Sequence, residues 1–222
     1  MVEAFSSKPL AFLSCPKQSP FRERVVRGTL HTKLIMAVAG LCGLALVGCS
    51  SGPEHELRDI DGVTYGSLER PAEGEWNVLF FVTAACPISN QYAPEIQRIC
   101  SAYGSKGARC FLVYADPALT AGEVRKHVAA FGHTSPAILD SRLQLTRAAG
   151  ATVTPEAAVF SKTGSLMYRG RINDFYASLG RPRQRVTQHD LRDALDDLAA
   201  GRGVRNARSQ ATGCFIPVEE EL

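Results

Sequence analysis

The chain has 222 residues, 45% hydrophobic and 21% charged, enough to bury one sizeable core with an appended segment. Its formal charge of +3 is carried ahead of Cys49, where six Lys and Arg meet two acids; the remainder holds nineteen against twenty, which argues against nucleic-acid binding. Seven cysteines, at 15, 42, 49, 86, 100, 110 and 214, are odd in number and lack paired short spacings, which excludes a small disulfide scaffold and a zinc ribbon.

Residues 1 to about 24 carry Pro9, Pro16 and Pro20 without apolar periodicity, and translation from Val25 or Val26 would keep Arg27 and Lys33 as a basic leader. The aliphatic run Leu34 to Val47 follows that basic stretch in the manner of a secretory signal and is short for a membrane span. A Ser-Ser-Gly linker then follows Cys49. Arg58 to Tyr65 reads as two strand pieces around an Asp-Gly turn, and Trp76 to Val82 as a strand buried on both faces. Apolar residues at 92, 96, 99, 100 and 103 predict a helix from Ser89 to Tyr103, followed by a strand from Cys110 to Ala115. Thr120 and Glu123 form a capping-box pattern that opens a helix to Phe131. Then come a short strand over Pro136 to Leu139, a helix over Arg142 to Ala149 and a hairpin of Pro155 to Phe160 with Leu166 to Arg171. An amphipathic helix starting near Thr187 buries Leu191, Ala194, Leu195 and Leu198. The order β-α-β-α-β-α-β-β-α predicts an α/β sandwich around a mixed sheet. Residues 201–222 read as a tail with a compact apolar insert around Cys214.

Cys86 lies just past a buried strand at a helix start, where backbone N–H groups favour the thiolate, the nucleophile toward disulfides and peroxides. It is expected to be the most reactive thiol. Here the sequence resembles the thioredoxin superfamily: Cys86-Pro87-Ile88-Ser89 with Pro94 eight residues on, and Val153-Thr154-Pro155 at the hairpin strand, like the cis proline that faces the active cysteine and shapes the substrate groove. The resemblance covers about residues 58–200 and implies a thioredoxin-like fold with Cys86 catalytic, Pro155 beside it, and Pro87 and Thr154 lining the groove. Thr83-x-x-Cys86-Pro87 is similar to the peroxiredoxin signature of the AhpC/TSA branch, which adds Thr83 to the candidate site. That branch has a proline where this chain has Leu79, and its arginine falls in the stretch corresponding to Thr154-Pro155.

Ser89 replaces the resolving cysteine of a Cys-x-x-Cys pair. Cys100, eleven residues further along, is displaced by about 16 Å at ~1.5 Å per residue, too far to substitute. Cys100 and Cys110 are either bonded or two buried thiols. Cys214 is the remaining resolving candidate on a flexible tail, or else an isolated thiol. Leu46-Val47-Gly48-Cys49 resembles a bacterial lipobox, which implies lipidation of Cys49, and Ser50 rather than aspartate favours the outer membrane.

The histidines at 31, 55, 127, 133 and 189 show no metal-ligand spacing, and His127 and His133 read as surface residues. The arginines of Tyr168-Arg169-Gly170-Arg171 are expected on a solvated face, and Arg181 to Arg185 in a polar loop. The domain plan is an extension and signal over 1–48, a linker over 49–57, a redox domain over 58–200 and the tail. The expected activity is thiol–disulfide exchange or thiol peroxidation in the cell envelope, facing the periplasm, without cofactor or metal. The expected partners are a protein disulfide or peroxide, an external thiol reductant and, through the anchor, a membrane. A copper carrier, the competing class, would need a second cysteine absent from Cys86-Pro87-Ile88-Ser89-Asn90.

Overall fold

The computed structural model describes residues 55–69 and 75–217. The leader and Cys49 lie outside these residues, and no described helix is long and apolar enough to cross a membrane. At the centre runs β3 (Trp76–Val82), whose residues from Asn77 onward are all buried. It pairs in parallel with β4 (Ala108–Tyr114), which pairs in parallel with β5 (Ala137–Leu139). On its other side β3 pairs antiparallel with β7 (Glu156–Ser161), itself antiparallel to β8 (Leu166–Gly170). The mixed sheet therefore has the order β5-β4-β3-β7-β8.

Alternation along β3 divides the core between the two faces. Val78, Phe80 and Val82 belong to a cluster with residues of α2 (Ala93–Gly104), Val124 of α3 (Ala121–Ala130) and Leu191 and Leu195 of α5 (Asp190–Ala199). Leu79 and Phe81 join Leu145 and Ala149 of α4 (Gln144–Ala149), along with Leu57 of β1 (Glu56–Arg58) and Leu68, which follows β2 (Thr64–Ser67). Strands β1 and β2 form the expected antiparallel hairpin. Helices packed on both sides of a mixed sheet make this the thioredoxin-like α/β fold expected from the sequence.

Differences from the expectations have local causes. The helix expected over 89–103 is two helices, α1 (Pro87–Gln91) and α2, divided at Tyr92 because Pro94, in the first turn of α2, has no N–H to continue the ladder. Helix α4 starts at Gln144 rather than Arg142: Leu143 takes a left-handed conformation with φ of 53°, and the Asp140 carboxylate accepts from the N–H groups of Gln144 and Thr146, both at 2.8 Å. Thr187 does not cap α5, since its N–H and hydroxyl both bond to the Asp174 carboxylate, at 2.8 and 2.5 Å. The Thr120–Glu123 capping box forms as expected. Arg181 and Pro182 of the polar loop expected over Arg181 to Arg185 form a short strand, β10 (Arg181–Pro182), which pairs as a hairpin with β9 (Tyr176–Ser178).

The greatest departure concerns residues 201–217, which are packed against the domain rather than trailing from it. Arg202 and Arg205 both bond to the buried Asp197 carboxylate, each at 2.9 Å. The chain then runs beside β8, with Arg169 N–H donating to Ala207 O and Ser209 N–H to Arg169 O. It ends at β11 (Cys214–Phe215), antiparallel to β6 (Val153–Thr154).

Candidate active site

Cys86 caps the N-terminus of α1 in an extended conformation, and Pro87, at the first helical position, needs no N–H partner. The Cys86 Sγ accepts from the Ser89 N–H at 3.4 Å and lies 3.2 Å from the Thr154 carbonyl oxygen. Thr154-Pro155 is a cis peptide bond. Cys86 is joined to Cys214 in a disulfide whose Cα atoms are 6.1 Å apart, within the usual span of such a bond.

Pairing with β6 brings Cys214 to that point. In the ladder Cys214 stands opposite Thr154 and Phe215 opposite Val153, and Ile216 N–H donates to Thr152 O at 3.0 Å. Gly213 is buried so closely over Thr154 that a Cβ there would run into the Thr154 carbonyl group. From below, the Glu156 carboxylate accepts from the N–H groups of Thr152 and Val153 at 2.9 and 3.4 Å, and Arg169 Nε is 3.6 Å away.

Cys86, Cys214, Pro155, Pro87 and Thr154 thus share one site. Thr83 lies near it in the chain, its carbonyl accepting from Cys86 N–H, but its hydroxyl donates to Asp116 Oδ2 at 3.2 Å rather than to the cysteine.

Several supporting residues were not anticipated. Asn90 donates from Nδ2 to Ala84 O at 3.1 Å, holding the turn ahead of Cys86. Its Oδ1 must therefore accept, so His127 donates from Nε2 at 2.9 Å and accepts the Tyr114 hydroxyl at Nδ1, at 2.8 Å. With Nδ1 accepting, His127 is neutral, in keeping with burial, which lowers its pKa from the ordinary value. His127 is accordingly a buried positioning residue instead of the surface residue expected. His133, whose ring centroid is 6.0 Å from that of His127, is also partly buried and is pushed down to about 4 by burial and by His127. An amide on α1 and a histidine on α3 carry no shared sequence spacing, so only the fold reveals this chain of bonds. The Glu156 role had a visible signal, an acid inside an apolar strand directly after the Thr154-Pro155 pair.

Cys100 and Cys110 are free and partly exposed. A hydrogen bond between the Cys100 and Cys110 side chains lowers the pKa of Cys100 and, with burial, raises that of Cys110. Arg169 and Arg171 do not simply line a solvated face, since Arg169 is near Glu156 and Arg171 makes two contacts to Asp190 at 2.7 and 3.2 Å. Among the described residues no three His, Cys, Asp or Glu side chains converge to hold a metal ion.

The Redoxin family model matches residues 51–174. Among solved structures, the chain is similar to an uncharacterized conserved protein from Geobacillus kaustophilus, with 24% identity over 77% of this chain and 91% of that one and a TM-score of 0.63. It is similar to a hypothetical protein from Sinorhizobium meliloti 1021, with 22% identity, 75% and 92% coverage and a TM-score of 0.62. At these identities the likeness concerns the fold. No curated protein matches the sequence.

Proposed function

The chain belongs to the Redoxin family, and on that premise we propose that it is a membrane-tethered thiol–disulfide oxidoreductase of the cell envelope whose working couple is Cys86 and Cys214. The observation that carries this reading is the bond between the two cysteines, one at the N-terminus of α1 and the other on a strand paired beside the cis proline.

In the dithiol form the Cys86 thiolate attacks one sulfur of a substrate disulfide, forming a mixed disulfide and releasing the other substrate thiolate. The Cys214 thiolate then attacks Cys86 Sγ, closing the internal disulfide and releasing the second substrate thiolate. Two electrons pass to the substrate, and a reducing dithiol restores the protein. The Ser89 N–H supports the thiolate at Cys86, and the Thr154 carbonyl is placed to accept its proton-bearing form. Thiol peroxidation is the weaker reading, because the Thr83 hydroxyl that the signature would use is engaged with Asp116. Tethering rests on the Leu46-Val47-Gly48-Cys49 junction and its basic, then apolar leader.

Reduction of insulin disulfides by the mature chain, with dithiothreitol as electron source, tests the activity. The wild type should turn over. Cys86→Ser should be inactive, and Cys214→Ser should accumulate the mixed disulfide at Cys86. Undiminished turnover by Cys86→Ser would rule the reading out.

A further inference from the structure

We propose that Cys100 and Cys110 form a second redox pair, separate from Cys86 and Cys214, at which Cys100 reduces a small hydroperoxide and Cys110 closes the resulting sulfenic acid into a disulfide. The exchange cycle above uses neither thiol, and the Cys86–Cys214 couple is closed on itself.

The fold brings three elements to this pair. Cys110 lies on β4 opposite Val78 of β3, on the sheet face that carries α2. Cys100 follows the buried Ile99 on α2, and both cysteines pack against that helix-side core. Ser135 arrives from the stretch that enters β5, where Pro136 O accepts from the Leu112 N–H of β4. The Cys100 side chain is hydrogen-bonded to the side chains of both Cys110 and Ser135. Two thiols in such contact, on elements packed together, are placed to close an S–S bond of about 2 Å.

The two sulfurs are chemically unequal. Their hydrogen bond lowers the pKa of Cys100 and, with burial, raises that of Cys110, so the thiolate of the pair forms at Cys100. The Ser135 bond favours the same thiolate. A thiolate beside a protonated thiol suits a two-step oxidation in which one sulfur attacks and the other resolves. Both cysteines are only partly exposed, which admits a small oxidant and disfavours a protein disulfide. In the first step the Cys100 thiolate attacks the terminal oxygen of ROOH, the O–O bond breaks, and RO⁻ leaves and takes a proton from water. In the second, Cys110 Sγ attacks Cys100 Sγ, the S–O bond breaks, and the hydroxyl leaves as water with the Cys110 proton. Two electrons pass from the pair to one peroxide, and α2 ends covalently tied to β4.

The probe is hydrogen peroxide, one equivalent added to the fully reduced mature chain carrying Cys86→Ser and Cys214→Ser, followed by alkylation in denaturant and non-reducing peptide mapping. The expected product is a Cys100–Cys110 disulfide, with both thiols lost together. When Cys110→Ser is added, dimedone should trap a sulfenic acid at Cys100. When Cys100→Ser is added instead, oxidation of Cys110 should slow by roughly tenfold or more, because the remaining thiol is the one held protonated. Ser135→Ala should slow the loss of both thiols by about threefold, since it removes one hydrogen bond to the thiolate. In the wild type the same linked peptide should appear beside the Cys86–Cys214 one, which covers the case of a misfolded double variant. A dimedone adduct first on Cys110, undiminished oxidation of Cys110 without Cys100, or oxidised thiols with no linked peptide would each overturn the pair. Cys100→Ser in the otherwise wild-type chain should reduce insulin at the wild-type rate, and a clear loss there would show that the two pairs are not separate.

Discussion

Cys214 stands directly across the β6–β11 ladder from Thr154, so the residue that closes the disulfide and the residue preceding the cis proline occupy one backbone pair. Gly213, the neighbour of Cys214, fits there because it has no side chain. Gly213→Ala should therefore push β11 off β6 and favour the dithiol over the disulfide. Titration against a dithiothreitol redox buffer should show reduction at lower dithiol concentration, by roughly tenfold for about 1.4 kcal/mol of lost pairing. An unchanged midpoint would mean the ladder does not set the position of Cys214.

In the oxidised mature chain, iodoacetamide should label Cys100 ahead of Cys110, because the hydrogen bond between them lowers the pKa of the first thiol and raises that of the second. Cys86 and Cys214 should be silent until mild reduction, when both become labelled. Mass spectrometry of the alkylated peptides reads both statements. Labelling of Cys86 before reduction would contradict the pairing.

Acid should weaken the fold in two stages. Burial lowers both His127 and His133, the latter to about 4, so between pH ~6.5 and ~4 the unfolded chain binds protons that the folded chain resists, and stability falls with pH. The second stage belongs to Asp197 and Asp174. Hydrogen bonds from Arg205 and Arg202 hold Asp197 at about 2. Burial would raise Asp174, but bonds from Thr187 and Gln188 outweigh it and bring that carboxyl also to about 2. Their contribution is fully present above the unfolded value near ~4 and is lost as pH falls from there toward ~2. Urea midpoints measured against pH should show both declines, and His133→Gln should flatten the first.

Replacing His127 by leucine leaves the Tyr114 hydroxyl and the Asn90 amide oxygen without their partner. A cost of roughly 2–4 kcal/mol follows from two buried groups losing a hydrogen bond. Because Asn90 holds the Ala84 carbonyl, insulin reduction should also slow, while His127→Gln, which keeps a donor, should recover part of it. Equal activity of the leucine and glutamine variants would assign His127 to stability alone.

For the anchor, membrane fractionation and mass spectrometry of the mature N-terminus should find a lipidated Cys49 and no residues 1–48. A soluble form retaining Leu34 to Val47 would refute it.

The sheet was legible because β3 is an unbroken apolar run and because helices and strands alternate after it, patterns set by burial on one or two faces. Cys86 was legible from its position between a buried strand and a helix start, and the Thr154-Pro155 pair from the resemblance to thioredoxins. What the sequence hid depends on contacts between distant segments. The region after α5 reads as polar and glycine-rich, yet Asp197 gathers Arg202 and Arg205, and Tyr168 and Arg171 gather Ser209. Thr187 looks like a helix cap until Asp174, thirteen residues earlier, takes its hydroxyl. His127 lies on a helix with polar neighbours, and only its tertiary partners on β4 and α1 explain its burial.

The backbone bonds from Ala207 and Ser209 to Arg169 lie on the side of β8 away from β7, where the sheet would otherwise end in unpaired N–H and C=O groups. Open strand edges invite other chains to add to them. The segment that delivers Cys214 therefore also shields the sheet, and the two duties are carried by different stretches of it. Residues 214–216 bond to the stretch 152–154, whereas 207 and 209 bond to β8, so the two sets of bonds are separate. The border of the sheet is thus covered by bonds that do not involve Cys214 or its partner.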